Sequence, residues 1–273
     1  MFQVMSVNLR HGAGDGRWAG IAALIRDVAP QILLLQEANG WADPEDQRLV
    51  AAEQELGMRG AIAPSPSGFH TGILIDGDAV SWDDWDTDHA HFSMHGHSEL
   101  IATVPWLPAP LTVLSAHLSP DSADLAAQEA QVLIRHVHRT GGYGILGGDI
   151  NHVPPGDAEP DWSKVPPHDR AARTVVADPV LRANHAVGHV LARGDLIDVA
   201  AHLADQRHDP TLRAWTGHIG MVRTDQIHIT RKLLPALIDY RRIEARPFSD
   251  HDAVVAEFDP DKLPLPATAD SAS

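Results

Sequence analysis

The run Ile-Leu-Leu-Leu at residues 32–35 limits the possible folds of this chain more than any other stretch. A strand with one wet face alternates apolar and polar residues, so a continuous apolar run is typical of a strand covered on both faces. A strand-like segment at residues 2–9 precedes it, followed by helically spaced apolar residues from Trp18 to Ala29 that end at Pro30. This succession of strand, helix and strand predicts a sheet with helices packed on it.

The other segments predict a second sheet. Closely spaced strand patterns with no helix between them favour antiparallel neighbours. Ser119-Pro120 is a typical helix start, with Ser as N-cap and Pro in the first turn. Further helices are predicted at residues 44–56, 170–176 and 196–203, and further strands at 60–63, 72–75, 79–82, 100–104, 111–116, 145–149, 222–229, 237–243 and 253–258. We therefore predict an α/β (α+β) protein of two packed sheets with helices outside.

One domain is predicted over residues 1–258, because no linker or internal repeat interrupts the chain. Residues 259–273 are rich in Pro, Ala, Ser and Asp, and we expect a disordered tail there. No stretch approaches the ~18 continuous apolar residues of a membrane span. A strand-like run follows the first Met directly, so we expect no signal peptide and a cytoplasmic location.

The charge balance bears on the partners of the chain. The 37 acidic residues outnumber the 21 Lys and Arg residues, for a formal net charge of −16. Proteins that bind long duplex DNA need a basic surface that displaces counterions from the phosphates. The composition therefore argues against a strong basic surface that could bind long DNA. It favours a small or short ligand, or a ligand that is bound through a divalent cation.

Residues 145–151, Ile-Leu-Gly-Gly-Asp-Ile-Asn, are the segment most suggestive of a site. An apolar strand pattern ends there in two glycines, and Asp149 and Asn151 are two positions apart. Residues i and i+2 of a strand share a face, so both side chains can address one ligand. Turns at strand ends also favour Gly, Asp and Asn, so the segment by itself leaves a purely structural interpretation open.

Polar residues also lie at or near the ends of the other predicted strands, as Asp149 and Asn151 do in the segment above. Ligand sites of sheet proteins gather at one edge of the strands, so these residues are candidates for convergence. They are Asn8, Glu37, His117, Asp149, Asn151, Asp225, and the tripeptide Ser249-Asp250-His251. Each residue alone is as compatible with a turn, a cap or a solvated position. The number of such residues in this order is what favours a functional interpretation.

In this order the motifs resemble the endonuclease/exonuclease/phosphatase (DNase I-like) superfamily, from Asn8 to His251. The Gly-Asp-x-Asn motif of that family matches residues 148–151, and its Ser-Asp-His motif is intact at residues 249–251. The resemblance implies a four-layer α/β/β/α sandwich of two stacked mixed sheets with helices outside. It also implies a metal-dependent phosphoesterase, a hydrolase acting on ester bonds as a phosphatase or a nuclease.

The resemblance implies a divalent cation, usually Mg²⁺ with Mn²⁺ as an alternative, near the first strands. Asn8 and Glu37 match the family's metal-binding positions, and Asp250 matches a position that binds or supports the metal. These residues offer oxygen ligands and only a few carboxylates, which is the kind of ligand set that binds Mg²⁺ in proteins.

The catalytic residues implied by the resemblance surround the phosphate. Asp149 orients or deprotonates the attacking water, and Asn151 helps to place the water and the phosphoryl group. His251 contacts the scissile phosphate, Asp225 hydrogen-bonds His251 and favours its protonated form, and His117 is a second phosphate contact. The mechanism implied is in-line attack of water on a phosphorus ester.

The chain departs from the family pattern at a few positions. Thr224 and Gln226 flank Asp225 where aliphatic and aromatic residues are usual, and Ser115-Ala116 precedes His117 where Asn-Thr is common. No catalytic group is lost, but assignment to a subfamily is weakened. Residues 152–222 are irregular and are expected to rim the cleft; their unassigned candidates are Trp162, Lys164, His168 and Trp215.

Two histidine patterns admit a metal interpretation. His89, His91, His95 and His97 form a tract that we interpret as a solvated loop, although His97 or the separate His70 could reach a cleft. His185 and His189 have the spacing of a helical metal pair, but no acidic third ligand follows, so we interpret them as surface residues.

The function hypothesis is a Mg²⁺-dependent phosphoester hydrolase acting on a phosphate mono- or diester of a small molecule or a short nucleic acid. An endonuclease or exonuclease acting on DNA or RNA is the main alternative. A non-catalytic binding protein of the same fold is a third hypothesis, which the intact catalytic set disfavours.

Overall fold

The computed structural model describes residues 1–88, 90–177, 179–218 and 220–263. The α-helices of this part are α1 (Trp18–Val28), α2 (Arg48–Leu56), α3 (Ala123–Val137), α4 (Pro167–Arg173), α5 (Ala186–Arg193) and α6 (Val199–Arg207). Its strands are β1 (Phe2–Asn8), β2 (Ile32–Gln36), β3 (Arg59–Ala63), β4 (Thr71–Ile75), β5 (Ser81–Asp86), β6 (His97–Thr103), β7 (Leu111–His117), β8 (Tyr143–Asp149), β9 (Thr174–Ala177), β10 (Val180–Ala183), β11 (Leu196–Asp198), β12 (Asp225–Thr230), β13 (Leu237–Ile243) and β14 (Ala253–Phe258).

Two six-stranded sheets form the centre of the fold. The first sheet has the order β13-β14-β1-β2-β4-β3, and the second has the order β11-β12-β8-β7-β6-β5. Both are mixed, because β1 and β2 are parallel in the first sheet and β7 and β8 are parallel in the second, while their other neighbours run antiparallel. Strands β9 and β10 form a separate hairpin.

Each sheet is buried on both faces. Val4 and Leu34 belong to a core that contains residues of both sheets, whereas Leu33 and Leu35 pack with α1 and α2 on the outer face of the first sheet. Helices α3 and α5 cover the second sheet in a third core. The prediction of a four-layer α/β/β/α sandwich is confirmed, and so is the burial of the apolar run on both of its faces.

Strand ends from both sheets meet at one edge of the sandwich. In the first sheet Asn8 is in register with Gln36, which Glu37 follows. In the second sheet Asp149 is in register with His117 on one side and with Asp225 on the other. The parallel pairs deliver their carboxyl ends to this edge, and the antiparallel β12 delivers its first residue there.

Polar and glycine residues hold the two sheets together below this edge. The Ser6 hydroxyl donates to Oε1 of Gln36 (3.2 Å), and Nε2 of Gln36 donates to the Ser115 hydroxyl in the opposite sheet (3.0 Å). A side chain at Gly147 would place its Cβ 2.6 Å from Cδ1 of Leu34. The absence of a side chain at Gly147 therefore allows the two sheets to pack closely just below the edge where the strand ends meet.

The second glycine of this strand is required by its backbone. Gly148 has φ +147°, and an added Cβ would lie 1.8 Å from the carbonyl oxygen of Ala116. We expect Gly148→Ala to lower the free energy of unfolding by about 3–5 kcal/mol, from backbone strain together with overlap. Urea unfolding followed by circular dichroism measures this, with Gly77→Ala as control because no atom lies within 4 Å of a Cβ there. A Gly148→Ala variant as stable as the Gly77→Ala variant would contradict the expectation.

The predicted start of α3 is wrong by three residues. Ser119 and Pro120 precede the helix instead of starting it, and the N-cap is Ser122, whose hydroxyl accepts a hydrogen bond from the backbone N–H of Leu125 (3.2 Å). Both serines have suitable side chains, so the local sequence did not distinguish them.

Other element boundaries also need correction. Helix α2 begins four residues later than predicted, α4 ends at Arg173 before the β9–β10 hairpin, and α5 was not predicted. Residues 196–198 form β11 instead of the start of α6. Strand β5 begins at Ser81 and continues to Asp86, four residues past the predicted strand end at residue 82 and through three acidic residues. Pairing with β6 decides this last case, since exposed acids alone do not favour a strand.

The end of the described chain contains a short 3₁₀-helix at Pro260–Lys262. Residues 264–273 of the predicted tail lie outside the described residues, as does His89 of the histidine tract. Within the described ranges, no helix has the length and apolar character needed to cross a membrane. The domain boundary and the cytoplasmic location stay predictions.

Candidate active site

Asp149, the last residue of β8, lies at the centre of a buried polar cluster. Its Oδ1 accepts a hydrogen bond from the backbone N–H of Asn151 (3.0 Å). Its Oδ2 accepts from Nδ2 of Asn8 at 3.2 Å. The same oxygen lies 3.6 Å from Nε2 of His117 and 3.8 Å from Nε2 of His251. The structure thus brings together side chains that the sequence places in four separate segments.

Asn8 connects two carboxyl groups. Its Nδ2 donates to Oε1 of Glu37 (3.1 Å) as well as to Asp149, and its Oδ1 accepts from the backbone N–H of Arg10 (2.8 Å). The other Glu37 oxygen accepts from the backbone N–H of His11 (2.9 Å). Burial raises the pKa of Glu37, and the charge of Asp149 adds to this, although both hydrogen bonds oppose it. The negative charge at Glu37 is therefore costly until a cation balances it.

His251 is held in its protonated form by two carboxylates. Its Nδ1 donates to Oδ2 of Asp225 at 2.8 Å, which directs Nε2 towards Asp149. Burial opposes the charged imidazole, but the Asp225 and Asp149 carboxylates outweigh this and raise the pKa of His251 to about 10. The ring is consequently a cation at neutral pH.

This pair gives a testable titration. We expect the His251 ring of the metal-free protein to titrate near pH 10, and Asp225→Asn to lower that pKa because the largest of the stabilising charges is gone. The contribution of the pair to stability is then fully present below the ordinary pKa of 6.5 and is lost as the pH rises through about 10. Proton–nitrogen NMR of the imidazole from pH 5 to 11 measures the pKa of His251 in the wild type and in Asp225→Asn. An unchanged midpoint in Asp225→Asn would rule out this account, and Asp124→Asn, an exposed acid, is the control.

His117 is a neutral counterpart on the other side of Asp149. Burial, together with electrostatic interactions with His95 and His251, lowers the pKa of His117 well below its ordinary value. The His95 ring lies 4.3 Å from that of His117 and contacts Phe69 edge-on at 5.1 Å. His95 and His97 are buried, so their interpretation as solvated loop residues is wrong, since β6 begins at His97 and draws both into the fold.

Asn151 is fixed on three sides, partly by a residue that we did not predict. Its backbone N–H donates to Asp149, its Nδ2 donates to the carbonyl oxygen of Leu118 (2.9 Å), and its Oδ1 accepts from Nη2 of Arg173 (3.2 Å). Arg173 lies at the end of α4, 22 residues further along the chain. No motif marks it, and the predicted helix over residues 170–176 placed it in the middle of a regular element.

The remaining predicted residues make no side-chain hydrogen bond to the cluster in the described part of the chain, although Asp250 lines the same cavity. The Asp250 side chain is 35% exposed, and its Oδ2 is 3.6 Å from Nε of Arg10. Trp162 is buried in a small core, whereas Lys164 and His168 are exposed. The predicted metal contact of Asp250 stays a prediction.

At this site, two groups of described residues have ligand atoms close enough to share a metal ion; a third such group, Asp86, Glu99 and His136, lies elsewhere, on β5, β6 and α3. In each group the ligand atoms lie within 4.8 Å of one another; one group is Glu37, His117 and Asp149, and another is Asp149, Asp225 and His251. The second already contains the Asp225–His251 hydrogen bond. The first joins the buried carboxyl group of Asp149 and the partly buried one of Glu37, whose pKa is raised, which fits a hard divalent cation with oxygen ligands.

The cluster lines a cavity of about 510 Å³. Phe69, Met94 and Pro120 form an apolar part of its wall, and Arg173 and Asp169 belong to the part supplied by α4. This volume lies within the range of sites that enclose small ligands.

Comparison with known proteins shows the fold. No family model matches the chain, and no curated protein sequence matches it significantly. Solved structures do match: D. rerio TDP2 complexed with single-strand DNA product has a TM-score of 0.62 at 16% identity, covering 94% of this chain and 98% of that one. An AP endonuclease from Archaeoglobus fulgidus has a TM-score of 0.65 at 15% identity, covering 95% and 100%. The 3′ phosphatase NExo from Neisseria, bound to product DNA hairpin, has a TM-score of 0.63 at 18% identity, covering 95% and 100%.

The match extends over nearly the whole length of both chains in all three cases. Two of these structures are named as an endonuclease and a 3′ phosphatase, and all three belong to the superfamily that the sequence motifs resemble. The chain therefore has the fold of the endonuclease/exonuclease/phosphatase (DNase I-like) superfamily.

Proposed function

We propose that the chain is a divalent-metal-dependent phosphoester hydrolase in which an activated water attacks phosphorus in line with the leaving group. The position of Asp149 carries this proposal. Its buried Oδ2 faces the amide of Asn8 at 3.2 Å and the imidazoles of His117 and His251 at 3.6 and 3.8 Å. A carboxylate in this position is suited to accept a proton from a water molecule, and the protonated His251 is suited to stabilise charge on the phosphoryl oxygens.

The other residues of the cluster take supporting roles in the proposal. Asn151 helps to place the water and the phosphoryl group, Asp225 keeps His251 protonated, and the neutral His117 donates a hydrogen bond to the phosphate. Their fixed geometry supports this, since Asn151 makes three hydrogen bonds and Asp225 is buried. Preorganised donors of this kind stabilise developing charge without reorganisation.

The proposed cation is Mg²⁺, with Mn²⁺ as an alternative. Glu37 and Asn8 would hold it, with Asp149 adjacent and Asp250 in support. Such a cation supplies Lewis-acid stabilisation of the phosphoryl oxygens and of the leaving group. The buried carboxyl group of Asp149 and the partly buried one of Glu37 are within reach of each other and support its presence, because their mutual repulsion is relieved by a positive charge.

The proposed substrate is a phosphorylated small molecule or a short nucleic acid. The cavity of about 510 Å³ and the formal net charge of −16 support a compact substrate over long duplex DNA.

Hydrolysis of generic esters tests the proposal. Purified protein is assayed on bis(p-nitrophenyl) phosphate as diester and p-nitrophenyl phosphate as monoester, with Mg²⁺, with Mn²⁺ and with chelator. We expect turnover of at least one ester that the chelator abolishes and either cation restores. No turnover of either ester with both cations, or turnover that resists the chelator, would contradict the proposal.

A nuclease acting on DNA or RNA is the second candidate, and a patch beside the cleft favours it. The guanidinium groups of Arg242 and Arg246 lie 5.1 and 5.8 Å from the ring centroid of Trp215. Gly217, two residues on, forms a bridge with His251. Guanidinium groups around an aromatic ring next to a hydrolytic cleft suit single-stranded nucleic acid, although Arg242 and Arg246 also pair with Asp252 and Glu244. D. rerio TDP2 and NExo are named with DNA products.

Substitution within this patch separates the two candidates. If the substrate is a nucleic acid, Trp215→Ala should weaken binding of a short single-stranded oligonucleotide by about 1–3 kcal/mol, as expected for loss of base stacking, and leave hydrolysis of bis(p-nitrophenyl) phosphate unchanged. Equal oligonucleotide binding by wild type and Trp215→Ala in fluorescence anisotropy would favour the small-molecule hydrolase.

A further inference from the structure

Arg173 is a buried cation with few partners. Its side chain is 6% exposed, and its Nε and Nη1 are buried without a hydrogen-bond partner in the described part of the chain. Its one hydrogen bond to a described side chain goes from Nη2 to the neutral amide oxygen of Asn151. Burying a cation without a balancing charge is costly, so such a residue calls for a specific explanation.

A second buried arginine shows what a structural solution looks like in this protein. Arg223 is 2% exposed and donates from Nε and Nη2 to Asp157 and from Nη1 and Nη2 to Asp198, at 2.8–3.0 Å. Two carboxylates therefore balance its charge. Within the described ranges no carboxylate lies within 4 Å of the Arg173 nitrogens, so the balancing anion is not supplied by these residues.

Arg173 lies where a phosphate would need positive charge. It lines the same cavity as Asp149, Asn151 and His251, and Asp121 also lines that cavity. The acidic groups of the wall repel an anionic ester. Burial lowers the pKa of the neighbouring His152 to about 4, and the charge of Arg173 contributes to this, so the arginine is the permanent cation on this side.

Arg173 also determines how Asn151 is oriented. A guanidinium donates only, so it requires the amide oxygen of Asn151 on its side. The amide nitrogen then points to the carbonyl oxygen of Leu118. The same guanidinium therefore fixes a predicted substrate contact and offers positive charge beside it.

We infer that Arg173 is a phosphate-binding residue of this site, whose guanidinium contacts a non-bridging oxygen of the ester while it holds the Asn151 amide in place. The inference rests on the proposed function for its role in hydrolysis, but the binding of a phosphate group can be measured without any turnover. It assigns a role to α4 and to the irregular segment that carries it.

Two substitutions separate charge from packing. Arg173→Gln keeps a hydrogen-bond donor for Asn151 and removes the charge, whereas Arg173→Lys keeps the charge. Inorganic phosphate is titrated into each variant by isothermal calorimetry in the presence of Mg²⁺, with circular dichroism as a check on folding. We expect Arg173→Gln to bind phosphate about tenfold more weakly, and Arg173→Lys to stay within about threefold of wild type. The control is Arg182→Ala, an exposed arginine of β10, which should match wild type.

We expect the rates of ester hydrolysis to rank the variants in the same order as their phosphate affinities, with Arg173→Gln below Arg173→Lys. On bis(p-nitrophenyl) phosphate, Arg173→Gln should lose about 100-fold in kcat/KM, as for removal of one preorganised donor, and Arg173→Lys should retain more activity. Phosphate affinity of Arg173→Gln equal to wild type, or an equal loss in Arg173→Gln and Arg173→Lys, overturns the inference. If the wild type hydrolyses no ester but the phosphate affinities follow the expected order, the proposed function fails and the assignment of Arg173 stands.

Discussion

Asp149→Asn is expected to lower the rate of metal-dependent ester hydrolysis by about 10⁴-fold, the upper end for loss of a positioned proton acceptor. The amide cannot accept a proton from water. In addition, an amide nitrogen in the place of Oδ2 would face the Asn8 Nδ2 that now donates to it at 3.2 Å, so two donors would meet. The effect should appear in kcat with little change in KM, measured on bis(p-nitrophenyl) phosphate under saturating Mg²⁺.

The control for this variant is Asp124→Asn, which neutralises an exposed acid in the first turn of α3 and should retain wild-type activity. Purification of both variants by the same procedure also excludes a contaminating phosphatase. Circular dichroism establishes that Asp149→Asn is folded. Activity of Asp149→Asn within tenfold of wild type would remove Asp149 from the proposed chemistry.

Glu37→Gln is expected to weaken Mg²⁺ binding by at least about 100-fold and to reduce hydrolysis accordingly, because the cation loses a carboxylate ligand. The same change should leave the metal-free protein as stable as wild type or more so. Burial raises the pKa of Glu37, which means that its charged form destabilises the metal-free fold at neutral pH. Replacing it with a neutral side chain of the same length removes that cost.

Calorimetry with Mg²⁺ and urea unfolding without metal test these two expectations separately. Glu45→Gln, at an exposed glutamate, is the matched control for both. Unchanged Mg²⁺ affinity in Glu37→Gln would place the metal elsewhere. Loss of stability in the metal-free variant would show instead that the charged Glu37 contributes to the fold through its hydrogen bonds to His11 and Asn8.

The strand ends were the part of the site that the sequence could predict. Buried strands have a strong apolar signature, so the ends of β1, β2, β7 and β8 were recognisable, and so were Asn8, Glu37, His117 and Asp149 at or directly after them. The apolar run at residues 32–35 predicted a sheet covered on both faces, and the packing of Leu33 and Leu34 into different cores confirms it. The periodicity of the apolar residues located these strands, and the order of the motifs identified the polar residues at their ends.

The sequence could not predict the contributions of irregular segments. Arg173 reaches Asn151 only because α4 stops at that residue, and the local sequence does not mark this end. His95 has an acidic and histidine-rich neighbourhood typical of a solvated loop, yet its ring packs on His117 through contacts that form only when β6 pairs with β7. Both cases depend on tertiary pairing, which local propensity does not encode.

Hydrolysis in water labelled with heavy oxygen tests whether water attacks phosphorus and whether this attack requires the carboxylate of Asp149. The wild-type protein, incubated with Mg²⁺ and a phosphodiester that it turns over, should release a phosphoryl product that carries one labelled oxygen, and Asp149→Asn should release none above background. This result would show that water attacks phosphorus and that the buried carboxylate is required. Product without the label, or labelled product formed equally by wild type and Asp149→Asn, would contradict the account.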